Sequence, residues 1–165
     1  MRQLFLFAVL LLAACGFHLR GSVQLPPELS EMAVLDAKPA TDIAAELRRG
    51  LKNTGVQVSD AAPMVLQVGS EQYGKRVLSV DASGRAQEYS LSYMVRFSLR
   101  AADGVAWLPE EAVTLTRDLR FDAAAVLATG SEEAQLKDEM RRDAVLQILR
   151  RLQHARPPAE KVEAK

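Results

Sequence analysis

Alternation of apolar and polar residues is clearest between positions 88 and 100 of this 165-residue chain. Apolar side chains occupy every second position and polar side chains occupy the positions between them, with Met94 as the exception. The apolar set is Tyr89, Leu91, Tyr93, Val95, Phe97 and Leu99. Because successive side chains of a strand point to opposite faces, this period of two predicts a long β-strand with one buried face.

Two other segments have the period of an α-helix. One carries apolar residues at Ile43, Leu47 and Leu51. Thr41 or Asp42 is expected to cap its start, and Gly55 suits the position just after its last turn. The other helix is predicted from Ser131, as N-cap, to Gln153. Its apolar stripe comprises Leu136, Met140, Ala144, Val145, Ile148, Leu149 and Leu152.

Three further apolar runs predict strands at residues 32–37, 64–72 and 112–121, the second continuing to residue 80 with a distortion at Gly74. Residues 81–84 (DASG) predict the turn of a hairpin. Arg117 falls among the apolar positions of the last strand, so either a bulge re-aims its side chain or this register is wrong. The order β-α-β-β-β-α predicts an α+β fold, a two-layer sandwich in which a four-stranded mixed sheet packs against two helices.

The start of the chain has the anatomy of an export signal. Arg2 precedes an apolar core from Leu4 to Leu12, which is shorter than the roughly 20 residues of a membrane-spanning helix. The run Leu12-Ala13-Ala14-Cys15 resembles the lipobox of bacterial lipoproteins. It implies attachment of diacylglycerol to the Cys15 sulfur, cleavage before Cys15 and acylation of the new amine. The alternative is an ordinary secretory peptide with a chance cysteine.

This processing predicts four regions along the chain. They are a cleaved signal peptide at 1–14, a lipidated tether at 15–31, the α+β domain at 32–155 and a disordered tail at 156–165. Pro26 and Pro27 predict extended backbone in the tether, because proline fixes φ and lacks an amide donor. Pro157 and Pro158, among mixed charges with almost no apolar residues, predict disorder in the tail.

Composition argues against several classes of function. The chain has 21 basic and 21 acidic residues. Loss of Arg2 leaves the mature chain near −1, so no excess of positive charge favours nucleic acid. His18 and His154 lie near the anchor and the C-terminus, where neither is expected to meet a nucleophile and an orienting acid. No His, Cys and carboxylate spacing fits a metal site. We therefore expect no enzyme activity, no metal and no cofactor beyond the lipid on Cys15.

Basic residues gather around the predicted hairpin and its neighbouring strands. They are Lys75, Arg76 and Arg85 beside the turn, then Arg96, Arg100, Arg117 and Arg120 on the strands. Such a cluster can bind phosphate, and arginine does so through two parallel N–H donors. The alternative is a solvated sheet face whose charges are balanced by Glu88, Asp103 and Asp118.

Four segments together resemble the LptE family of lipopolysaccharide-assembly lipoproteins. They are residues 15–20 (CGFHLR) after the lipobox, residues 83–89 (SGRAQEY), residues 115–122 (LTRDLRFD) and residues 138–140 (DEM) in the last helix. They follow the family's order over most of residues 15–155, and the β-α-β-β-β-α order agrees with the family fold.

The resemblance implies a non-enzymatic outer-membrane lipoprotein that plugs the lumen of the β-barrel LptD, facing the periplasm. The family supports assembly of that barrel and binds lipopolysaccharide. Arg85, then Lys75 and Arg76, are therefore expected to contact lipopolysaccharide phosphates. Gly16, rather than Asp, after the anchor favours the outer membrane. Some family members have basic residues before the last helix, where residues 123–130 of this chain have none. The apolar Val126 and Leu127 there predict packing against a partner or a core edge.

Two other functions stay open. A structural envelope lipoprotein of similar fold could serve a different barrel or peptidoglycan, in which case depletion would leave surface lipopolysaccharide normal. A periplasmic hydrolase would turn over envelope substrates, although the residues give it little support.

Overall fold

A computed structural model of the chain describes residues 23–36, 42–122 and 125–157. Its elements are β1 (Glu31–Asp36), α1 (Asp42–Asn53), β2 (Gln57–Val58), β3 (Met64–Val68), β4 (Gln72–Val80), β5 (Ala86–Ala101), β6 (Ala106–Arg120) and α2 (Val126–Gln153). The candidate anchor Cys15, the candidate cap Thr41 and most of the predicted tail lie outside the described residues.

β5 is the central strand of the sheet. β6 runs antiparallel along one of its edges. The other edge is shared, because β3 pairs with residues 97–101 of β5 and β4 pairs with residues 86–94. β1 pairs in parallel with both β3 and β2. The predicted α+β class, with a mixed sheet and two helices, is confirmed, but the predicted count of four strands is wrong because the sheet has six.

The additional strands come from one interruption and one short element. The apolar run across residues 64–80 breaks at residues 69–71 rather than at Gly74, and forms β3 and β4. At the break, the Gly69 amide donates to the Arg96 carbonyl at 2.7 Å. A Cβ on Gly69 would lie 3.3 Å from that oxygen, so the close approach of the two backbones favours glycine. β2 has two residues, too few for a periodic pattern to reveal it.

Both helices cover the same face of the sheet. α1 contacts β1 and β2, while α2 contacts β5 and β6. The predicted inward face of β5 is buried, with Leu91, Tyr93, Val95, Phe97 and Leu99 each at most 1 % exposed. A Cβ on Gly50 of α1 would lie 3.2 Å from the side chains of Leu149 and Val145. The absence of a side chain at Gly50 therefore lets the two helices approach closely.

α2 begins at Val126, well before the predicted start at Ser131. The prediction of Ser131 as the N-cap is wrong, because this residue lies inside the helix and its hydroxyl donates to the Ala128 carbonyl at 2.8 Å. A serine that bonds back to its own helix is compatible with helical backbone. The helix also continues through Gly130, which costs about 1 kcal/mol relative to alanine.

The chain just before β1 packs against the body of the domain. Residues 27–29 form a single 3-10 turn, where the two prolines had predicted extended backbone. The fixed φ of proline suits the first positions of such a turn. Leu29 is fully buried, and Val23 and Leu25 also pack against the core. The C-terminal part of the predicted tether thus contributes to the hydrophobic core.

Candidate functional site

The β4–β5 hairpin separates the predicted basic residues instead of gathering them. Lys75 lies opposite Leu91, on the sheet face that packs against α2, whereas Arg76 lies opposite Ser90, on the outer face. Arg85 follows the turn between the strands. The alternation of side chains along β4 places the two neighbouring cations on opposite faces. These three residues therefore do not form one phosphate-binding cluster on a single face.

Lys75 is held by contacts with α2 and β5. Its Nζ donates to Glu133 Oε2 at 2.5 Å and lies 4.3 Å from the centre of the Tyr89 ring. The other Glu133 oxygen accepts a hydrogen bond from the Tyr73 hydroxyl at 2.9 Å. The hydrogen bond from Lys75 holds the pKa of Glu133 below its ordinary value, although burial opposes this. Burial, reinforced by the same carboxylate, raises the pKa of Tyr73.

Arg85 is exposed but is oriented by its own turn. Asp81 Oδ1 accepts the backbone amides of Ser83 at 2.8 Å and Arg85 at 2.9 Å. Arg85 Nε donates to Asp81 Oδ2 at 2.9 Å, and Gly84 supplies the positive φ of 79° that the turn requires. The backbone hydrogen bond from Arg85 is the main cause of the lowered pKa of Asp81. The Arg85 side chain is 76 % exposed, so its terminal nitrogens remain accessible to a ligand.

A cleft of about 770 Å³ brings Arg85 and Arg120 to the same place. The Phe121 amide donates to the Gln87 carbonyl at 2.7 Å, which holds the end of β6 beside the start of β5. Three carboxylates, those of Asp81, Glu88 and Asp122, also line this cleft. An anion bound there would have to compete with these carboxylates for the two guanidinium groups. The cleft is thus a mixed-charge surface rather than a purely basic one.

Arg120 was not singled out by sequence reasoning, which placed it only in the wider set of basic residues. The signal that could have found it is the pairing register of β5 and β6, in which Arg120 lies opposite Glu88. Arg76 and Arg120 make no ion pair with any residue that the structure describes. Together with Arg85 they are the cations of the hairpin region that a ligand could engage.

The Arg117 side chain faces α2. The sequence pattern predicted either that a bulge re-aims this side chain or that the register assigned to the strand is wrong. Arg117 lies opposite Leu91, and the β5–β6 register is continuous from Glu88 to Phe97. Its Nη2 donates to Asp143 Oδ2 of α2 at 2.6 Å. Both explanations offered for Arg117 are therefore wrong, because an acidic partner on the helix accommodates the charge on this face.

Apolar side chains are exposed at one end of the molecule, which we call the hairpin end (residues 77–89, 118–122 and 125–127). The exposed set is Val77, Leu78, Val80, Val126 and Leu127. Leu127 is 92 % exposed. The expectation that Val126 and Leu127 form a core edge is therefore wrong, while packing against a partner stays a prediction. Exposed apolar residues grouped in this way often mark an interaction surface.

The most enclosed charge belongs to Arg141, whose side chain is 12 % exposed. Its Nε donates to Glu71 Oε1 at 2.7 Å, and its other nitrogens reach Asp138 at 2.8 Å and Asp42 at 3.2 Å. The Tyr93 hydroxyl donates to the same Glu71 oxygen. Burial opposes the charge of Arg141, but the Glu71 carboxylate outweighs it and raises the pKa of Arg141. This network joins α2, the start of α1 and the break before β4.

Within residues 23–36, 42–122 and 125–157, His, Cys, Asp and Glu side chains form no group of three or more that could hold a metal ion. The helices found there are each too short or too polar to cross a membrane.

Comparison with known proteins places this fold among small α+β bacterial lipoproteins. The solution structure of an uncharacterized lipoprotein B from Nitrosomonas europaea matches with a TM-score of 0.71 and 31 % identity, over 84 % of this chain and 90 % of that one. The crystal structure of rare lipoprotein B from Shewanella oneidensis matches with a TM-score of 0.67 and 25 % identity, over 74 % and 92 %.

Sequence comparison identifies the family within that class. The family model described as LptE, lipopolysaccharide-assembly, matches residues 29–152. The LPS-assembly lipoprotein LptE of Photorhabdus laumondii is 30 % identical over 148 residues, covering 88 % of this chain and 80 % of that protein. The protein of the same name from Pectobacterium atrosepticum is 29 % identical over 150 residues. The chain belongs to the LptE family, which confirms the resemblance found in the sequence.

Proposed function

We propose that this chain is a non-enzymatic outer-membrane lipoprotein of lipopolysaccharide assembly. It is anchored by acyl chains on Cys15, fills the lumen of the β-barrel LptD from the periplasmic side, supports assembly of that barrel and contacts lipopolysaccharide. The observation that carries the proposal is the family match, because it spans residues 29–152 and thus nearly all of the described domain. Two relatives that match over 88 % of this chain carry lipopolysaccharide assembly in their names.

The shape and surface of the domain suit a plug. A large barrel has a polar interior that needs filling, and a small body with charged and hydroxyl side chains on its outer sheet face is compatible with such a lumen. The hairpin end adds exposed apolar residues, including Leu78 and Leu127, that a partner wall could cover. Anchoring would come from the lipid, since each buried methylene contributes about 0.8 kcal/mol and several chains on one residue hold firmly.

The lipopolysaccharide contact is assigned first to Arg85, then to Arg76, with Lys75 last. Arg85 is exposed at the rim of the cleft that also contains Arg120. Two guanidinium groups near one another suit a sugar phosphate, which accepts paired hydrogen bonds. Lys75 moves to the end of the order because Glu133 already binds its ammonium group.

Affinity purification of the full-length chain from native membranes tests the barrel partner. We expect a large β-barrel to co-purify through detergent extraction, and depletion of the chain to reduce both that barrel and surface lipopolysaccharide. Co-purification of a different barrel, with normal surface lipopolysaccharide after depletion, would favour the structural envelope lipoprotein instead. The chain eluting alone, with no loss of a barrel on depletion, would contradict the proposal.

Binding of purified lipopolysaccharide at fixed salt tests the charged contact. Arg85→Glu and Arg120→Glu should each weaken binding, whereas Arg150→Glu, an exposed cation near the far end of α2, should not. Losing a charge-assisted contact to phosphate is worth about 1.5–3 kcal/mol, or roughly tenfold to a hundredfold in affinity. Equal affinities for all three variants would remove the cleft from the binding site.

Acylation of Cys15 has its own test. Cys15→Ala should abolish fatty-acid labelling and release the chain from membranes unless the barrel retains it. Mass spectrometry of the native chain would contradict the anchor if it found a free thiol at Cys15 or an uncleaved leader.

A further inference from the structure

The strand β6 has a free edge along most of its length, because it pairs only with β5 among the described strands. The Phe121 amide donates to the Gln87 carbonyl at 2.7 Å, one step beyond the pair of Arg120 with Glu88. In an antiparallel ladder, pairs joined in this way alternate with pairs whose amides and carbonyls point away from each other. The even-numbered residues of β6 from 112 to 120 therefore direct both backbone groups outward.

Contacts of the backbone agree with this direction. The Ala112 carbonyl accepts a hydrogen bond from Arg151 Nη1 of α2 at 3.1 Å, so it points away from β5. Further along β6, no strand or side chain of the described residues accepts a hydrogen bond from the amides of Thr114, Thr116 and Asp118. All three residues are exposed. A row of unpaired backbone groups of this kind is a template for the addition of another strand.

The other outer edges of the sheet are less suited to strand addition. The register of β4 shifts between Val77 and Val80, and such bulges interrupt a regular ladder. On the opposite side β2 contributes only two residues, and Arg48 Nη2 of α1 donates to the Val34 carbonyl of β1 at 2.8 Å. By contrast, β6 keeps one register with β5 over residues 111–120, a run of about 30 Å at 3.4 Å per residue.

The side chains of this edge indicate the chemistry of the strand that fits it. Thr114, Thr116 and Asp118 share the outer face of the sheet, because side chains alternate along β6. Asp118 lies opposite Ser90 and makes no ion pair with any residue that the structure describes. Opposite charges on adjacent strands stabilise their pairing, so a basic side chain is the complement of Asp118. Threonine in turn packs well beside β-branched neighbours.

We propose that an extended segment of the barrel protein adds to residues 114–118 of β6 as a further strand, with a basic side chain opposite Asp118. The identity of the partner rests on the function proposed above, in which the barrel surrounds this domain. Backbone hydrogen bonds supply the affinity of such an added strand, and its alternate side chains supply the specificity. A polar edge of threonines and one carboxylate suits a segment that enters a polar lumen.

Photo-cross-linking in the full-length chain in its native membrane tests the proposal. With p-benzoylphenylalanine in place of Thr116, we expect a cross-link to one short segment of the barrel, identified by mass spectrometry. Adding Thr114→Pro should lower the yield about tenfold, because proline removes an outward amide and its ring blocks the edge without breaking the β5 ladder. Thr114→Val, the matched control, keeps the amide and the β-branched shape and should leave the yield unchanged. Equal yields in these two variants would overturn the proposal.

A disulfide scan distinguishes an added strand from an ordinary side-chain contact. Cysteine in place of Thr116 should form disulfides with alternate positions of the cross-linked segment, since side chains on one face of a strand recur at every second residue. Cysteine in place of Thr114 should move the best position by two residues. Equal pairing with adjacent positions would contradict a strand. A cross-link to a second copy of this chain, or to a polypeptide other than the barrel, would overturn the proposed occupant.

Charge reversal gives a readout that does not depend on proline. Asp118→Lys should lower the yield of the position-116 cross-link about tenfold, because it places like charges opposite each other. Asp60→Lys, at an exposed acid of the loop before β3, is the matched control and should change it little. Equal losses in both variants would contradict a basic residue opposite Asp118. Co-purification is measured separately: a barrel that co-purifies while the cross-link ignores Thr114→Pro refutes the added strand alone, whereas absence of the barrel refutes the proposed function.

Discussion

The hairpin end differs sharply from the packed half of the domain, which we define as β1–β3, α1 and residues 140–152 of α2. In the packed half, α1 and α2 cover the sheet, and residues such as Leu47, Leu66 and Ile148 are fully buried. At the hairpin end the same sheet continues, but Val77, Leu78 and Leu127 remain exposed. Leu47, Leu66 and Ile148 stabilise the fold by their burial, whereas Val77, Leu78 and Leu127 remain largely accessible to a partner. Apolar character alone therefore does not separate stabilising residues from contact residues.

Charged residues show the same contrast. Arg141 is enclosed and is bound by carboxylates from three separate parts of the chain. Arg85 is exposed and is bound by one carboxylate of its own turn. Removing Arg141 leaves the Glu71 carboxylate without its cation in a poorly hydrated place. Removing Arg85 leaves Asp81 in contact with water. Of these two arginines, Arg141 thus contributes to stability, whereas Arg85 is accessible to a ligand.

A large loss of stability is expected from Arg141→Met. The substitution leaves Glu71 without its cation in a partly buried site, and breaking such a pair costs about 3 kcal/mol of unfolding free energy. Arg150→Met, on an exposed position of the same helix, should cost less than about 0.5 kcal/mol. Urea denaturation of the soluble domain measures both. Similar losses for the two variants would show that the enclosed network does not stabilise the packed half.

A pair of leucine truncations compares the two regions directly. Leu66→Ala removes a fully buried side chain and should cost about 2–5 kcal/mol, because it creates a cavity in the core. Leu78→Ala removes a side chain that is 47 % exposed, and should cost under about 1 kcal/mol. Thermal or chemical unfolding of both variants checks the difference. A loss for Leu78→Ala as large as that for Leu66→Ala would mean that the hairpin end contributes to the core.

Leu127→Asp should affect binding and not folding. Leu127 is almost fully exposed, so its substitution is expected to change the unfolding free energy by less than about 0.5 kcal/mol. If the hairpin end contacts the barrel, a charge in an apolar contact should lower barrel recovery about tenfold in a pull-down. Leu35→Asp, at an exposed leucine of β1 in the packed half, is the matched control. Unchanged recovery for Leu127→Asp would remove this residue from the proposed interface.

The smallest effect is a pH dependence of the contact between α2 and the hairpin. The pKa of Glu133 is lowered in the folded state, so its ionised form contributes stability above its ordinary value of 4.5. That contribution is lost as the pH falls through the folded pKa. The difference in unfolding free energy between the native chain and Glu133→Gln should be under about 1 kcal/mol at pH 7 and should vanish in strong acid. A difference that grows on acidification would contradict this assignment.

The limits of sequence-based prediction are clearest where distant residues meet. Periodicity identified β5 and the face it buries, because alternation follows from the geometry of one strand. It misplaced the start of α2, and it predicted a distortion at Gly74 where the structure has a break at residues 69–71. Nothing in the local pattern around Arg117 indicates Asp143, the carboxylate that accommodates it on the helix-facing side of β6. The cleft that joins Arg85 to Arg120 likewise depends on the β5–β6 register.

Local sequence determined the types of the main elements, their apolar faces and the lipobox-like start, since each depends on neighbouring residues. It also carried the family resemblance. The tertiary structure decided which charged groups are enclosed and which apolar residues of the described ranges remain exposed. Glu71 and Arg141 are 70 residues apart in the chain, yet their side chains form an ion pair at 2.7 Å. Such contacts arise only when the sheet and both helices are assembled, so their energies cannot be assigned from a single segment.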